Sequence, residues 1–543
     1  MMGLIMNRNR RFIVSALSAA FLLTALTLPA ATRSAKLPIA AKWGRFEQSF
    51  KSRVNYTNAL QQATLKVTFV SPRGEATEVF GFWDGGKTWR VRFTPDQPGR
   101  WTFQTHCSDE NNKGLQNQSG AFICTTPIGQ SRFNQHGPVC ISRDGRHFEH
   151  ADGTPFFWLA DITWNGARES NLKDWQEYAE IRSSQKFSAV QWALLDAQTN
   201  SLTPFTGKEA IQINLEFFQK LDAKVDALNR VGLLSVIAPF WQSALANDLP
   251  EDQMALLIRY LAARFSANDV AWLLPVEGGN ARSKHIGQMS FGELTHAPVI
   301  LFPGEINFAL DEFRNEKWVD AFGFGIGQSA DEDSLKWIVS GPPAHEWKNL
   351  PARPLISVLP PLENSVPTQG GARVNSDDVR KLAWTSLLVS APAGVTYGAE
   401  GVVNWNTTLE AARPHVSTRL PLWRLSLFLS GAKQMGNLVE VFNSIEFSQL
   451  TPASKFIAIQ PGDRAPRQHI AAAETKDLKV AYVPQYRTVE VFLSALPASP
   501  VIQWVNPQTG EKKPAVAVVG SRTCQLPTPD TNDWLLVVKS AAK

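Results

Sequence analysis

Acidic and tryptophan side chains follow short apolar runs in this sequence, at positions where chemistry could occur. Glu277 follows the run 270–274, and Asp161 and Trp164 follow the run 156–159. Two carboxyl groups in an apolar pocket can divide the roles of proton donor and ionised base. Cleavage of a glycosidic bond requires that division. The pattern predicts Glu277 as a general acid/base, although a loop glutamate is more often simply solvated.

Other polar and aromatic residues stand at equivalent positions along the chain. A tryptophan ring suits the flat C–H face of a sugar, but most of the 18 tryptophans are expected to be core residues. The candidate sugar contacts are Asp161, Trp164, Gln191, Trp241, Gln328, Glu363 and Tyr397.

Other chemistries lack their motifs. The nearest histidine pair, His147 and His150, has no third ligand close by in sequence, so no metal site is predicted. The sequence has no Gly-x-Ser-x-Gly elbow of the kind that presents a nucleophilic serine. We therefore predict no cofactor.

The elements that must position these residues alternate between strand and helix. From Phe156 to about Gly398, short apolar runs alternate about eight times with segments of helical periodicity. This pattern predicts an α/β fold, a (β/α)8 barrel, whose functional residues lie at the C-terminal ends of the strands. A doubly wound open sheet is the alternative, but it would show a glycine fingerprint after its first strand, which 159–164 lacks.

The segments before and after this region have the pattern of short strands. Leu65–Phe69 and Trp89–Phe93 alternate with period two and are separated by glycine-containing turns. The tail contains further strands such as Val489–Leu493. We predict four segments: a signal peptide at 1–31, an N-terminal β-sandwich at 36–128, the barrel at 133–447 and a C-terminal β-sandwich domain at 448–543.

The N-terminus has the pattern of an export signal. Arg8, Arg10 and Arg11 precede an apolar run at 12–28, and small residues follow it. The prediction is a secreted or periplasmic protein, with an uncleaved membrane anchor as the alternative. No later segment is as long without charge, so no membrane span is expected after removal of the leader.

The charge balance argues against nucleic acid as a partner. Lysine and arginine number 54 and the acids 49, which gives a net charge of +5. Three of these positive charges lie in the leader, and the mature chain has no basic run of the kind that nucleic-acid binding needs.

Two cysteines each end a predicted strand. In an oxidising compartment Cys107 and Cys124 could pair, and we predict this disulfide, with two buried free thiols as the alternative. Cys140 and Cys524 receive no predicted partner.

The order of several short motifs carries a family resemblance. These barrel motifs are Leu159–Trp164, Ala189–Gln191, Asn214–Phe218, Leu221–Asp222, Tyr260–Phe265, Asp269–Trp272, Trp318–Asp320, Gln328–Ser329, Thr396–Gly398 and Gly431–Met435. With them, residues 133–450 resemble the apiosidase-like glycoside hydrolases, a barrel family. The flanks are similar to a β-sandwich that often precedes such barrels and to a C-terminal domain named for collagen binding.

The resemblance implies an acid after strand four and a glutamate nucleophile after strand seven. Glu277 stands at the first position, although two family glycines are replaced there by Pro275 and Val276. At the second position the family shows Glu-Pro-x-Tyr-Glu, whereas this chain has Leu359 in place of the first glutamate and retains Glu363.

We therefore expect an exported glycoside hydrolase-like protein that acts on or binds a polysaccharide, with weak or absent retaining hydrolysis. One alternative is a non-catalytic carbohydrate-binding protein that has lost the nucleophile, and another is a structural envelope protein. If an inverting reaction occurs, the candidate bases are Asp161, Asp196, Glu305 and Glu400.

Overall fold

The structure, a computed structural model, describes residues 36–197, 203–293, 296–304, 310–368, 370–408, 421–453, 455–461 and 465–541. The predicted leader at 1–31 and Glu305 lie outside these ranges. The described chain contains a β-rich N-terminal domain, a closed barrel and a C-terminal β-domain, which confirms the predicted fold class.

The N-terminal domain consists of two sheets. A five-stranded sheet has the order β1-β8-β7-β3-β4, and a three-stranded sheet has the order β2-β6-β5. In β3, Leu65, Val67 and Phe69 are buried and alternate with half-buried residues, as expected for a strand with one face in a core. The strands are β1 Ile39–Ala41, β2 Phe46–Lys51, β3 Leu65–Val70, β4 Ala76–Phe80, β5 Phe82–Trp83, β6 Thr88–Phe93, β7 Gly99–Cys107 and β8 Ser119–Thr125, with helix α1 at Ala59–Gln62.

The predicted Cys107–Cys124 disulfide is wrong. In the β7–β8 pair Cys124 lies opposite Gly99, eight residues along β7 from Cys107. At about 3.3 Å per residue the two cysteines are separated by roughly 26 Å, whereas a disulfide needs Cα atoms within about 7 Å. Both thiols are free and buried. Each cysteine ends a strand, but at opposite ends of the sheet.

A small three-stranded sheet closes one end of the barrel. Phe148, from its middle strand, packs against Trp158 of the first barrel strand with ring centroids 5.2 Å apart. This segment contains α2 Arg132–His136, β9 Val139–Ile141, β10 Phe148–His150 and β11 Pro155–Phe156.

Eight parallel strands form the closed barrel, in the order β12-β13-β16-β17-β18-β19-β20-β21. A hairpin, β14–β15, lies in the loop after the second of them. The bounds are β12 Trp158–Ile162, β13 Ala189–Ala193, β14 Phe205–Thr206, β15 Gln212–Ile213, β16 Leu234–Ala238, β17 Val270–Pro275, β18 Val299–Phe302, β19 Ala321–Gly325, β20 Leu355–Leu359 and β21 Gly394–Tyr397.

The barrel strands are buried on both faces, which explains why they read as continuous apolar runs. Along β12, Trp158, Ala160 and Ile162 belong to the core inside the barrel. Leu159 belongs to the core between the barrel and its helices. The side chain therefore changes side at every residue, and this alternation decides which polar residues can reach the barrel axis.

The helices pack around the barrel, and several begin at asparagine or aspartate caps that accept a backbone N–H, such as Asn171 and Asn375. Within the described ranges no helix is long and apolar enough to span a bilayer. The helices are α3 Gly166–Glu169, α4 Leu172–Ser184, α5 Leu215–Arg230, α6 Ala244–Asp248, α7 Glu251–Arg264, α8 Asn280–Phe291, α9 Glu332–Ser340, α10 Pro343–Glu346, α11 Ser376–Val389, α12 Trp423–Ser426 and α13 Ser430–Asn443.

The C-terminal domain also contains two sheets, of order β22-β23-β24-β30-β26-β27 and β25-β29-β28. Its strands are β22 Thr451–Pro452, β23 Ala471–Glu474, β24 Leu478–Val483, β25 Thr488–Phe492, β26 Pro500–Val505, β27 Lys512–Pro514, β28 Val518–Val519, β29 Thr523–Pro527 and β30 Trp534–Ser540.

A buried polar cluster joins this domain to the barrel. Arg380 of α11 donates hydrogen bonds of 2.7 and 2.8 Å to the two carboxylate oxygens of Asp533. Tyr482 of β24 donates a third, of 2.7 Å, to the same carboxylate. Around them Val480, Tyr482 and Leu535 belong to the same apolar core as the barrel helices. The C-terminal domain is therefore fixed to the barrel.

Candidate active site

A cleft with a volume of about 370 Å³ opens at the C-terminal ends of the barrel strands. This is the end at which barrel enzymes carry their sites. Residues that end or follow six of the eight strands line it. Those that could contact a ligand are Trp164, Asp196, Trp241, Gln328, Leu359, Thr368, Glu400 and Asn404.

Two tryptophans form one wall of the cleft. The rings of Trp164 and Trp241 stack with centroids 4.0 Å apart and an interplanar angle of 15°. Trp241 stacks in turn on Phe302, the last residue of β18, at 5.2 Å. Because each ring supports the next, the wall is rigid, and only 7% and 6% of the two tryptophans remain exposed. The part of the two rings that remains exposed lines the cleft and gives this wall a small apolar surface.

Two carboxylates, Asp196 and Glu400, are among the described residues that line the cleft. A single guanidinium nitrogen of Arg168 donates to both carboxylate oxygens of Asp196, at 3.0 and 3.1 Å. Asp196 is also paired with Trp241 through a parallel backbone bridge. The carboxylate is thus held in a fixed position beside the tryptophan wall.

Gln328 lies on another side of the cleft. Its side-chain oxygen accepts hydrogen bonds from the backbone N–H and the hydroxyl of Thr368, at 3.2 and 2.8 Å. This arrangement leaves the amide nitrogen of Gln328 as a donor. The structure therefore places Trp164, Trp241 and Gln328 in one cleft, and their contact with a sugar stays a prediction.

Glu277 lies at the edge of the cleft, two residues after the end of β17. Its Oε1 accepts a 2.5 Å hydrogen bond from the backbone N–H of Gln242, a residue that lines the cleft. Its Oε2 is buried and has no hydrogen-bond partner within the described part of the chain. Burial raises the pKa of the Glu277 carboxyl, and the Gln242 N–H offsets part of that rise. A carboxyl that holds its proton more tightly suits a general acid.

Asp161 lies outside the cleft, which corrects the expectation that it contacts a sugar. It is the neighbour of the inward-facing Ile162 and therefore points to the helix layer. Arg182 of α4 and Tyr178 each donate a 2.7 Å hydrogen bond to Asp161 Oδ2. Asp161 and Arg182 are both 0% exposed. This carboxylate is part of the framework and cannot reach a bound ligand.

Gln191 is also a framework residue. Its side chain lies inside the barrel, donates to the carbonyl oxygen of Val358 at 3.0 Å and accepts from the Thr396 hydroxyl at 3.0 Å. It is fully buried. Gln191 therefore links β13 to β20 and β21 across the barrel, and the expectation of a sugar contact is corrected here as well.

Glu363 and Tyr397 are hydrogen-bonded to each other and do not line the cleft. The Tyr397 hydroxyl donates a 2.5 Å hydrogen bond to Glu363 Oε2. Both carboxylate oxygens also accept from the backbone N–H of Gly431, each at 3.1 Å, in the first turn of α13. A Cβ at position 431 would lie 2.4 Å from Glu363 Oε2, so this approach requires glycine. Both residues were expected to contact a sugar, and the structure instead assigns them to the helix N-terminus.

The sequence model described as "Apiosidase-like, catalytic domain" matches residues 142–449, more than half of the chain. The chain belongs to the apiosidase-like family. A domain of unknown function, DUF5060, matches residues 39–108, and the "Putative collagen-binding domain of a collagenase" matches residues 451–539. These three matches confirm the resemblance seen in the motifs. No curated protein matches the chain in sequence.

Solved structures of glycoside hydrolases share the fold of this apiosidase-like chain. One, described as a "putative glycoside hydrolase" from Bacteroides vulgatus ATCC 8482, is 17% identical with a TM-score of 0.68, over 92% of this chain and 99% of the other. A glycoside hydrolase family 5 structure from the same organism is 18% identical with a TM-score of 0.65, over 76% and 95%. A further glycoside hydrolase is 18% identical with a TM-score of 0.66, over 77% and 99%.

One position in the cleft differs from the family pattern quoted above. Leu359 ends β20, the seventh barrel strand, and its side chain lines the cleft where the resemblance implies a nucleophilic glutamate. The glutamate that this apiosidase-like chain retains, Glu363, is engaged with α13. The cleft thus has no carboxylate at the end of its seventh strand.

The sequence did not single out some of the residues that line the cleft. Asp196 and Glu400 were only alternative bases there, yet both line the cleft. Thr368 and Asn404 lie in loops, where no periodicity indicates the direction of a side chain. Within the described ranges no group of three His, Cys, Asp or Glu residues could hold a metal ion.

Proposed function

We propose that this protein binds a polysaccharide in the barrel cleft and does not cleave it by the retaining, double-displacement mechanism. The observation that carries the proposal is the seventh strand, where Leu359 lines the cleft and Glu363 points away to α13. A leucine side chain cannot attack an anomeric carbon. The stacked Trp164–Trp241 wall supports saccharide binding, because it adds a rigid apolar surface to a cleft that also holds polar groups.

The location of the protein is part of the same proposal. The arginine-flanked apolar run at the N-terminus supports export to the periplasm or the medium, where polysaccharides are accessible.

Inverting hydrolysis is the second candidate, and one observation favours it. Glu277 keeps a buried oxygen without a hydrogen-bond partner among the described residues, and burial raises its pKa. A protonated Glu277 could supply the proton to a leaving group, with Asp196 or Glu400 as the base that activates water. Such a pair of carboxyl groups would be expected about 6.5–9.5 Å apart.

Replacement of Trp241 by alanine tests saccharide binding. A glycan array of plant and microbial polysaccharides identifies the ligand, and calorimetry then measures its affinity for the parent and for Trp241→Ala. We expect the affinity to fall more than tenfold, because Trp241 lines the cleft and supports the Trp164 ring, and truncation of an anchoring tryptophan in a binding site costs about 2 kcal/mol or more.

Trp347→Ala is the matched control, because Trp347 is half-buried and lies outside the cleft. The affinity of the Trp347→Ala variant for the glycan should equal that of the parent protein. Equal affinity of Trp241→Ala and the parent would contradict binding in the cleft. Absence of binding to every glycan would favour a structural role.

Trapping with 2-fluoroglycosides of the bound sugar tests the mechanism. These compounds accumulate as glycosyl-enzyme adducts on retaining enzymes, and intact-mass analysis detects the adduct. We expect no adduct on the parent protein, since no carboxylate stands at position 359. We expect Leu359→Glu to form the adduct, with Leu359→Gln as the control that restores size but not the nucleophile.

An adduct on the parent would show that the proposed mechanism is wrong, and peptide mapping would identify the nucleophile. Turnover by the parent without an adduct, and with inversion at the anomeric carbon, would support the second candidate.

A further inference from the structure

A second cavity, of about 390 Å³, lies between the N-terminal domain and the barrel. It is lined by the start of β17, at Asp269 and Val270, and by Ala297 before β18, so it lies at the opposite end of the barrel strands from the cleft. Its volume falls in the range of small-molecule sites, about 300–1,000 Å³. Nothing in the proposed saccharide binding uses it.

The walls of this cavity are mainly apolar and include six aromatic side chains. They come from both domains, so the cavity exists only in the assembled chain. Its aromatic residues are Phe80, Phe93, Trp101, Phe265, Trp272 and Phe291.

The carboxyl group of Asp269 lines the cavity and has no hydrogen-bond or ion-pair partner among the described residues. The backbone of the same residue is fully engaged, because its N–H donates to Asn229 and its carbonyl oxygen accepts from Asn229 and Ser235. Arg45, whose charge acts on Asp269, is hydrogen-bonded to Asp226. Burial raises the pKa of Asp269 to about 7.

The other titratable side chains that line the cavity in the described structure are Asp96, Cys140 and His296. His296 Nδ1 lies 2.9 Å from the carbonyl oxygen of Ala297 and 3.7 Å from Asp320, which itself accepts the N–H of Val299. The described lining contains no lysine or arginine. The cavity therefore combines apolar walls with acidic groups.

We propose that this cavity binds a small molecule with an apolar or aromatic body and a protonated amine, and that the amine pairs with Asp269. The aromatic walls accommodate the body. The ammonium group supplies the hydrogen bonds that the carboxylate lacks, and charge-assisted hydrogen bonds of this kind are the strong ones. A ligand with a carboxylate in place of the amine would be repelled.

Calorimetry with 2-phenylethylamine and 2-phenylethanol on the full chain tests the proposal, because the two probes have the same body. We expect the amine to bind at least tenfold more tightly than the alcohol. In Asp269→Asn this difference should fall to about twofold or less. Asp248→Asn, which changes an exposed carboxylate outside the cavity, should retain the full difference.

Ala262→Leu provides a second, independent variant. Ala262 lines the cavity from α7 and is half-buried, so a leucine there narrows the cavity without changing the carboxyl. We expect it to weaken the binding of both probes. The proposal is overturned if the parent binds the alcohol as tightly as the amine, or if neither Asp269→Asn nor Ala262→Leu changes amine binding.

Discussion

Replacement of Arg182 by methionine should lower the free energy of unfolding by about 3–5 kcal/mol, the usual cost of removing one partner from a buried ion pair. Arg182 and Asp161 are both 0% exposed and joined by a 2.7 Å hydrogen bond. Methionine keeps the apolar part of the side chain and removes the charge, so Asp161 loses its counter-ion in a site that water does not reach.

Urea denaturation of the full chain measures this effect. Lys220→Ala is the control, because Lys220 pairs with Glu216 on the exposed face of α5, and its unfolding midpoint should equal that of the parent. If Arg182→Met were as stable as the parent, the Asp161–Arg182 pair would not be part of the framework.

Asp269→Asn should make the protein more stable at pH 8 and leave its stability at pH 4 unchanged. The pKa of Asp269 is raised from 3.8 to about 7 by burial. Between about pH 4 and pH 7 the folded protein keeps a proton that the unfolded chain has lost, so the stability of the parent falls as the pH rises through this window. The full shift corresponds to at most about 4 kcal/mol. Because the cavity is open to water, we expect a gain of about 2 kcal/mol for Asp269→Asn.

Unfolding free energies of parent and variant, measured across this pH range without ligand, test the expectation. Asp248→Asn again serves as the exposed control and should follow the parent at every pH. Parallel pH profiles for Asp269→Asn and the parent would show that Asp269 ionises normally in the folded protein.

The barrel could be predicted from the sequence because each strand is a short apolar run followed by polar residues. The sequence did not, however, predict the direction in which each strand side chain points. A strand buried on both faces is apolar throughout, so its sequence does not show which residues point to the axis. Asp161 and Ile162 differ by one position, and only the assembled barrel shows that Ile162 points inward and Asp161 towards Arg182.

Contacts between distant segments explain the other corrections. Glu363 follows the seventh strand, as the family pattern requires, but its orientation is set by Gly431, which is 68 residues away. No local pattern indicates that contact. The prediction that each cysteine lies at a strand end was correct. The register of the β7–β8 pair, which the sequence does not show, places Cys107 and Cys124 at opposite ends of the sheet.

The buried cluster of Arg380, Tyr482 and Asp533 keeps the C-terminal domain at a fixed distance from the cleft. Binding modules on flexible linkers act by raising the local concentration of the substrate, because they can search the space around the enzyme. A domain that is held by a buried ion pair and a shared apolar core cannot move freely relative to the barrel. A ligand bound to the C-terminal domain would therefore lie at a set distance from the cleft, unlike a ligand on a module that is joined by a flexible linker.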